Sequence, residues 1–477
     1  MKDDETVVAA KLPGELLERF SEFIAEKMCL HFPRERWPEL IRGVRHAAKD
    51  FGQPGAEACI HWLLSTPLTT QQIEILAGHL TVGETYFFRA PQTFEALAAE
   101  ILPELIRERL NNNQRLRIWS VGCCTGEEAY SLAILASRAV PDLKHWHVTI
   151  LATDINPRFL HKAEAGVFGA WSFRDAPPWL QDRYFTPRPG ERHEISHAIR
   201  KMVTFFPLNL ASDAYPSLLN DTNAMDLILC RNVLMYFTPA QMEKVVEKLR
   251  HCLVDGGGLV VSPNEVSQSL FSKFESVHLR NAVFYRKPLP GALEPFADVI
   301  APVEVAAPPP PPPELPALET AHDLFDKGFY PEVLSTLGTQ PSDPQAMSLM
   351  ARTLANEGKL ADALIWCDRA VAAAALDPVM RYLRATVLHE QGNFEEAMKT
   401  YRRALYLDHD FVLAHFALGN LCNECGHHRD ARRHFRHALM ALEKLPAHQV
   451  LPESEGITAG RLEEIVRTLL ESGETHD

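Results

Sequence analysis

Two features at the ends of apolar runs could do chemistry together. The run Leu116-Arg117-Ile118-Trp119-Ser120-Val121 ends in a turn of small residues, Gly122-Cys123-Cys124-Thr125-Gly126, and then opens a helical segment at Glu127 and Glu128. Such a turn lets a ligand approach the backbone. The next apolar run, residues 147–154, ends in Asp154, 32 positions after Gly122. A carboxylate at that place is where a nucleotide-type fold accepts from ribose hydroxyls. A glycine turn alone is also what any tight strand-to-helix connection uses, but the turn together with the acidic strand end points to a nucleoside ligand. No Gly-Lys-Ser/Thr phosphate loop is present, and the paired Glu127 and Glu128 would repel a pyrophosphate, so a cationic ligand suits the site better.

A second set of charges lies nearer the start of the chain. Arg42, Arg45 and Lys49 fall at i, i+3 and i+7, on one face of a helix, with Arg34 and Arg36 just before them. This is a basic stripe in a chain whose formal net charge is -14. It reads equally as a solvated helix face or as a docking surface for an acidic partner. The segment Cys422-Asn423-Glu424-Cys425-Gly426-His427-His428 has the residue types of a zinc site. Cys422, however, stands where Leu354 and Leu388 stand in a repeating pattern, so it reads as a core position and no metal is expected.

These residues need a scaffold, and the chain is long enough for several domains, with 477 residues of which 46% are hydrophobic. No apolar run approaches the ~20 residues of a membrane span, the first residues are charged, and nine cysteines show no disulfide framework. The expectation is a cytoplasmic protein with free thiols and no membrane insertion, and the acidic balance argues against nucleic acid as a partner. Residues 12–80 carry helical periodicity, as at Leu16, Leu17, Phe20 and Ile24, and predict an N-terminal helical subdomain. Within residues 81–288 apolar runs alternate with helical segments, which predicts an α/β, doubly wound, largely parallel sheet. Residues 289–317 are a Pro-rich linker containing six consecutive prolines at 308–313, a semi-rigid spacer across which the two sides should fold separately.

Beyond the linker a period of 34 appears in Ala351, Ala385 and Gly419, in Gly358, Gly392 and Gly426, in Ala363, Ala397 and Ala431, and in Ala370, Ala404 and Ala438. Small residues at fixed phase let the two helices of a hairpin approach closely, and the pattern resembles the tetratricopeptide repeat. An all-α repeat domain over 318–445 follows, with Gly328 as the turn of a degenerate first unit. Residues 446–477 form a tail whose helical stretch at 461–470 would cap the array.

Over about residues 15–287 the chain also resembles the CheR-type chemotaxis-receptor methyltransferases. The resemblance rests on Thr85-Tyr86-Phe87-Phe88-Arg89, on Trp119-Ser120 with Thr125-Gly126-Glu127-Glu128-Ala129-Tyr130-Ser131, on Ala152-Thr153-Asp154-Ile155, on Asn209-Leu210, and on residues 230–237 from Cys230 through Arg231, Asn232 and Tyr236 to Phe237. With repeats attached, it is similar to the branch that serves Wsp-type surface-sensing pathways. The resemblance implies the S-adenosylmethionine-dependent methyltransferase sheet, S-adenosylmethionine as cofactor, S-adenosylhomocysteine as product, and contacts at Thr85, Arg89, Glu128, Asp154, Asn209, Leu210, Arg231 and Asn232. Glu127 stays open as the alternative to Glu128. It further implies methyl esterification of glutamate side chains on the cytoplasmic domain of a chemoreceptor-like protein, with Arg89 orienting the carboxylate and Tyr236 beside the methyl donor as the catalytic pair. On this reading Arg42, Arg45 and Lys49 bind substrate, and the repeats take a protein or peptide ligand.

The chain departs from the family pattern at Gly83, where Asn is frequent, and at Pro263-Asn264, to which no role is assigned. Residues 185–202 occupy the place of a small β insertion that binds a receptor peptide in some members; short and without a glycine-rich tip, the segment suggests the peptide-independent type. Two other readings compete: the same fold methylating a different acceptor, and a non-catalytic S-adenosylmethionine-binding scaffold acting through its repeats.

Overall fold

The computed structural model describes residues 12–473 apart from 66, 111–113, 213–214, 218–219, 280–281, 290–316, 327, 339–340, 448 and 455–456. The proline run therefore lies outside the described residues. Ten strands are present among those described: β1 (Arg115–Val121), β2 (His147–Asp154), β3 (Val167–Gly169), β4 (Phe185–Arg188), β5 (Arg192–Ile195), β6 (Val203–Pro207), β7 (Met225–Cys230), β8 (Leu253–Val261), β9 (Glu275–Leu279) and β10 (Ala282–Arg286). Seven form one sheet in the order β6-β2-β1-β7-β8-β10-β9. The first five run parallel, and β10 is antiparallel to both of its neighbours.

The composition of the strands accounts for this arrangement. Strand β7, Met-Asp-Leu-Ile-Leu-Cys, is buried along its whole length, as is β1 after Arg115, because helices cover both faces of the sheet. The chain winds outward from β1 to β2 to β6, then returns to place β7 on the other side of β1. The order therefore reverses between β1 and β7, and an open α/β sheet presents its ligand crevice at the carboxyl ends of the strands beside such a reversal.

Four helices, Gly14–Met28, Trp37–Asp50, Ala56–Ser65 and Thr70–Leu80, form the N-terminal bundle around Phe20, Ile24, Leu40, Ile60, Leu63 and Leu76. Thr69 and Gln72 make a reciprocal capping box that starts the fourth. Strands β3, β4 and β5 form a separate antiparallel sheet with β5 in the middle. The β4–β5 turn holds Gly190 at φ 77°, so the segment that reads as short and lacking a glycine-rich tip does close a hairpin.

The repeats are helix pairs Pro344–Asn356 with Leu360–Ala373, Pro378–Glu390 with Phe394–Leu407, and Val412–Glu424 with His428–Leu442. Their first helices start 34 residues apart, and the Asp343 and Asp377 side chains cap the first two by accepting from Ala346 and Val379 N–H. A shorter pair, Ala317–Asp326 and Tyr330–Leu337, precedes them, and helix Ala459–Gly473 packs on the last.

The two sides of the linker do not stand apart. The repeats pack against the amino ends of the sheet strands, where Glu390 pairs with both Arg115 and Arg117 of β1. His251, just before β8, lies against Phe329 and Tyr330, and His147 at the start of β2 lies against Phe394. A Cβ on Gly328 would collide with the His251 ring and one on Gly358 would meet Val254 at 3.0 Å, whereas Gly392 and Gly426 face open space. The linker that separates the two halves in sequence thus leaves them in contact in the folded chain, and the buried Arg117 takes a carboxylate partner from the other side.

Candidate active site

A cavity of about 360 Å³ opens at the carboxyl ends of β1, β2 and β7. Its wall combines the glycine turn after β1, the ends of β2 and β7, residues 80–89, and the end of the first bundle helix with the residues after it, from Met28 to Arg36. The bundle thus closes the crevice that the sheet reversal leaves open.

The turn is built by two glycines in conformations that favour glycine. Gly122 has φ 65°, and a Cβ there would lie 2.5 Å from Val233 Cγ2; Gly126 caps helix Glu127–Ala139 at φ 93° against Ala163. Asp154, at the end of β2, accepts from Cys124 N–H at 2.9 Å and Asn156 N–H at 2.8 Å. Burial nevertheless dominates over these donors and pushes its carboxyl up to about 6. This carboxylate has capacity for further donors and would gain from hydroxyls brought to it.

The two acids after the turn are separated by the helix. Glu128 lines the cavity, accepts from Ser120 Oγ at 2.7 Å and pairs with Arg231 at 3.0 Å. Glu127 turns to Thr125 at 2.7 Å and Ser172 at 2.8 Å, outside the cavity lining. Burial raises both carboxyls, and at Glu128 the neighbouring Arg231 opposes it. Arg231 also donates to the Arg89 carbonyl at 2.6 Å, which joins the end of β7 to the segment carrying Arg89.

Arg89 and Tyr236 both line the cavity and are half-buried. Arg89 Nη1 donates to the Glu84 carbonyl at 2.5 Å, and its guanidinium lies 5.9 Å from the Tyr86 ring centre. Tyr236 ends a short 3₁₀ turn, Leu234–Tyr236; its carbonyl accepts from His31 N–H at 2.7 Å, and the Arg36 guanidinium lies 5.4 Å from its ring. Tyr236 is therefore where the bundle meets the sheet. Thr85, Leu210 and Asn232 also line the cavity.

Asn209 is not brought into the cavity wall. Its amide donates to the Lys27 carbonyl at 2.7 Å and its oxygen accepts from Ala211 N–H at 3.0 Å, so the side chain ties the first bundle helix to the segment after β6. Leu210, its neighbour, takes the place at the cavity. The basic stripe is formed as expected on helix Trp37–Asp50, with Arg42, Arg45 and Lys49 all exposed. None of the three makes an ion pair with a carboxylate among the described residues, while Arg36, at the same helix's start, reaches the cavity.

Sequence reasoning missed Glu265. It is buried, and its carboxylate accepts from the backbone N–H groups of Asn232, Met235 and Ser262 and from the Ser262 hydroxyl. It thus holds the Asn232-to-Tyr236 segment, in which Asn232 sits at φ 60°. The signal was available as Ser262-Pro263-Asn264-Glu265, a capping box with Pro at the first turn, beside the Asn264 that lines the cavity. Gly83 is explained too: a Cβ there would approach Phe159 Cζ to 2.6 Å, so the site has exchanged a side chain for a packed ring. Cys422 sits in the repeat core, and among the described residues no group of three or more His, Cys, Asp or Glu side chains is arranged to hold a metal.

Residues 83–283 match the family described as CheR methyltransferase, SAM binding domain, and residues 385–422 and 412–437 match tetratricopeptide-repeat families. Chemotaxis protein methyltransferase 2 of Vibrio cholerae is 34% identical over 221 residues, 46% of this chain and 75% of that protein. Chemotaxis protein methyltransferase 1 of Pseudomonas aeruginosa is 34% identical over 221 residues, 45% of this chain and 77% of that protein. The probable biofilm formation methyltransferase WspC of Pseudomonas aeruginosa is 31% identical over 382 residues, 78% of this chain and 87% of that protein, so the similarity runs on into the repeats.

Proposed function

The chain belongs to the CheR family of S-adenosylmethionine-dependent methyltransferases, and from that premise we propose that it esterifies glutamate side chains on the cytoplasmic domain of a chemoreceptor-like signalling protein. The observation that carries this reading is the layout of one cavity, from the buried Asp154 at its inner wall to the half-buried Arg89 and Tyr236. A cavity of about 360 Å³ falls in the range of small-molecule sites, and its buried carboxylate suits a ligand that brings ribose hydroxyls.

S-adenosylmethionine, when bound, supplies a methyl group on a sulfonium sulfur. Asp154 would accept from its ribose hydroxyls, while Thr85, Glu128, Leu210, Arg231 and Asn232 would complete its enclosure, with Glu128 presenting a carboxylate to the ammonium. Transfer of that methyl to a carboxylate oxygen of a partner glutamate, with the carbon–sulfur bond broken, would leave a methyl ester and S-adenosylhomocysteine. The acceptor is already ionised at neutral pH, so no general base is needed. Rate must come from alignment and from exclusion of water where two opposite charges vanish. Arg89 offers two parallel donors to hold the acceptor carboxylate, and Tyr236 closes the pocket beside the methyl donor.

The exposed cations of Arg42, Arg45 and Lys49 would guide an acidic receptor helix toward this opening. No helix among the described residues is long and apolar enough to cross a membrane. The test is transfer of labelled methyl from S-adenosylmethionine to a receptor cytoplasmic fragment. Label released as methanol by mild base supports glutamate esters, and base-stable label would move the assignment to a different acceptor.

A further inference from the structure

A second and larger cavity, about 760 Å³, lies away from the first, between the repeats and the outer edge of the sheet. One wall is the sheet's edge strand: residues 204–207 of β6 line it, with Leu160, His161 and Glu164 of helix Pro157–Ala165 beside them. The opposite wall is made by helices Pro378–Glu390 and Val412–Glu424 of the repeats and by helix Ala459–Gly473. β6 pairs only with β2, so its outer edge leaves backbone donors and acceptors unclaimed by any strand among the described residues. An unpaired edge is a template for an added strand.

The carboxylates around this edge outnumber its bases, which are His161 and His389. Glu74, Glu164, Asp221, Glu390, Glu424 and Glu464 line the cleft, and no Lys or Arg does. Glu390 is committed to Arg115 and Arg117, and Glu424 meets His389 at 3.0 Å, yet Glu164 and Glu424 remain exposed to what enters. Between them lie the half-buried Phe206, Ile465 and Leu469, an apolar floor that alternate side chains of a strand could cover, while Phe205 lies on the opposite face of β6 against Tyr130.

We propose that this cleft binds an extended basic segment of a partner protein, added as a strand to the free edge of β6, with Lys or Arg side chains toward the carboxylates and alternate apolar side chains on the floor. The edge supplies affinity through the backbone, and the acidic walls supply selectivity for the cationic sequence. This inference stands whether or not the methyl acceptor is glutamate, since it uses neither Asp154 nor Tyr236.

The probe is a short fluorescent peptide alternating Lys and Val, titrated into the full-length protein and followed by anisotropy. Binding should be tighter than about 1 mM, weaken with salt, and vanish when Glu replaces Lys in the peptide. Methylating the peptide's backbone nitrogens at alternate residues removes the donors without changing charge, and Asn420→Lys places a cation on the cleft wall while removing no ion pair; each should weaken binding at least about tenfold. Affinity for S-adenosylmethionine in Asn420→Lys should match the unaltered protein, which shows that the fold is intact. Equal binding of the Glu peptide, indifference to N-methylation, or full affinity in Asn420→Lys overturns the proposal, as does failure of the Lys-Val peptide to bind.

Discussion

Removing one carboxylate should reveal how firmly the repeats are joined to the catalytic sheet. Glu390 holds Arg115 and Arg117 together, with the Arg117 side chain 3% exposed and that of Glu390 8% exposed. Burial alone would raise the Glu390 carboxyl, but the two guanidiniums outweigh it and hold it far below the usual carboxylate range. Truncating one partner of a buried pair costs about 3–5 kcal/mol, because the other charge is left desolvated. Arg117 keeps the Asp221 carbonyl at 2.6 Å, so Glu390→Ala should fall near the lower end, about 3 kcal/mol. At roughly 2–4 °C per kcal/mol for domains of this size, the melting transition should drop by about 6–12 °C in calorimetry. Glu390→Gln keeps an acceptor and should lose less. Because the folded carboxyl is depressed, its contribution is present above the unfolded value of about 4.5 and is lost as pH falls below it, so the difference between Glu390→Ala and the unaltered protein should shrink in acid. A protein ending near residue 289 has the same defect and should melt lower than the full chain. A loss under about 1 kcal/mol for Glu390→Ala at neutral pH would refute the reasoning and restore two independent halves.

Four further outcomes are expected. Asp154→Ala should weaken S-adenosylmethionine binding at least about tenfold by calorimetry, from loss of a charged acceptor. Since that carboxyl sits at about 6 and hydroxyl donors favour its ionised form, cofactor affinity in the unaltered protein should be flat above pH 6 and fall as the pH drops through it. Reversing Arg42, Arg45 and Lys49 together to Glu should slow receptor methylation and remove its weakening by salt, which then screens a repulsion, while leaving cofactor affinity unchanged in the same calorimeter. Glu265→Ala should release three backbone N–H groups and lower turnover with little change in folding, measured as kcat beside circular dichroism.

What was legible in advance followed from local rules. The glycine turn and Asp154 are set by φ preference and strand ends, readable in a window of a few residues, and the period of 34 by small-residue packing repeated over residues 351–438. The choice between Glu128 and Glu127 was not, because adjacent helix positions differ by about 100° and only the placement of Arg231 and Ser172 decides which one faces the cavity. The partner of Asn209 was hidden for a related reason: an Asn after a strand can serve a ligand or a backbone, and here its amide donates to the Lys27 carbonyl, 182 positions away. Glu265 was hidden behind a departure from the family's pattern, although its capping box is a local signal that could have been scored on its own.

The repeats show most plainly where periodicity stops informing. Gly328, Gly358, Gly392 and Gly426 occupy equivalent turns at φ values of 76–77°, so local sequence makes them alike. The first two are pressed against His251 and Val254 under the sheet, and the last two face open space. Arg117 and Ser120 divide β1 in the same way: Arg117, near its amino end, is held by Glu390 of the repeats, while Ser120, near its carboxyl end, holds Glu128 in the wall of the first cavity. One strand of seven residues thus carries both connections, and its parallel register with β2 and β7 keeps them at a fixed separation.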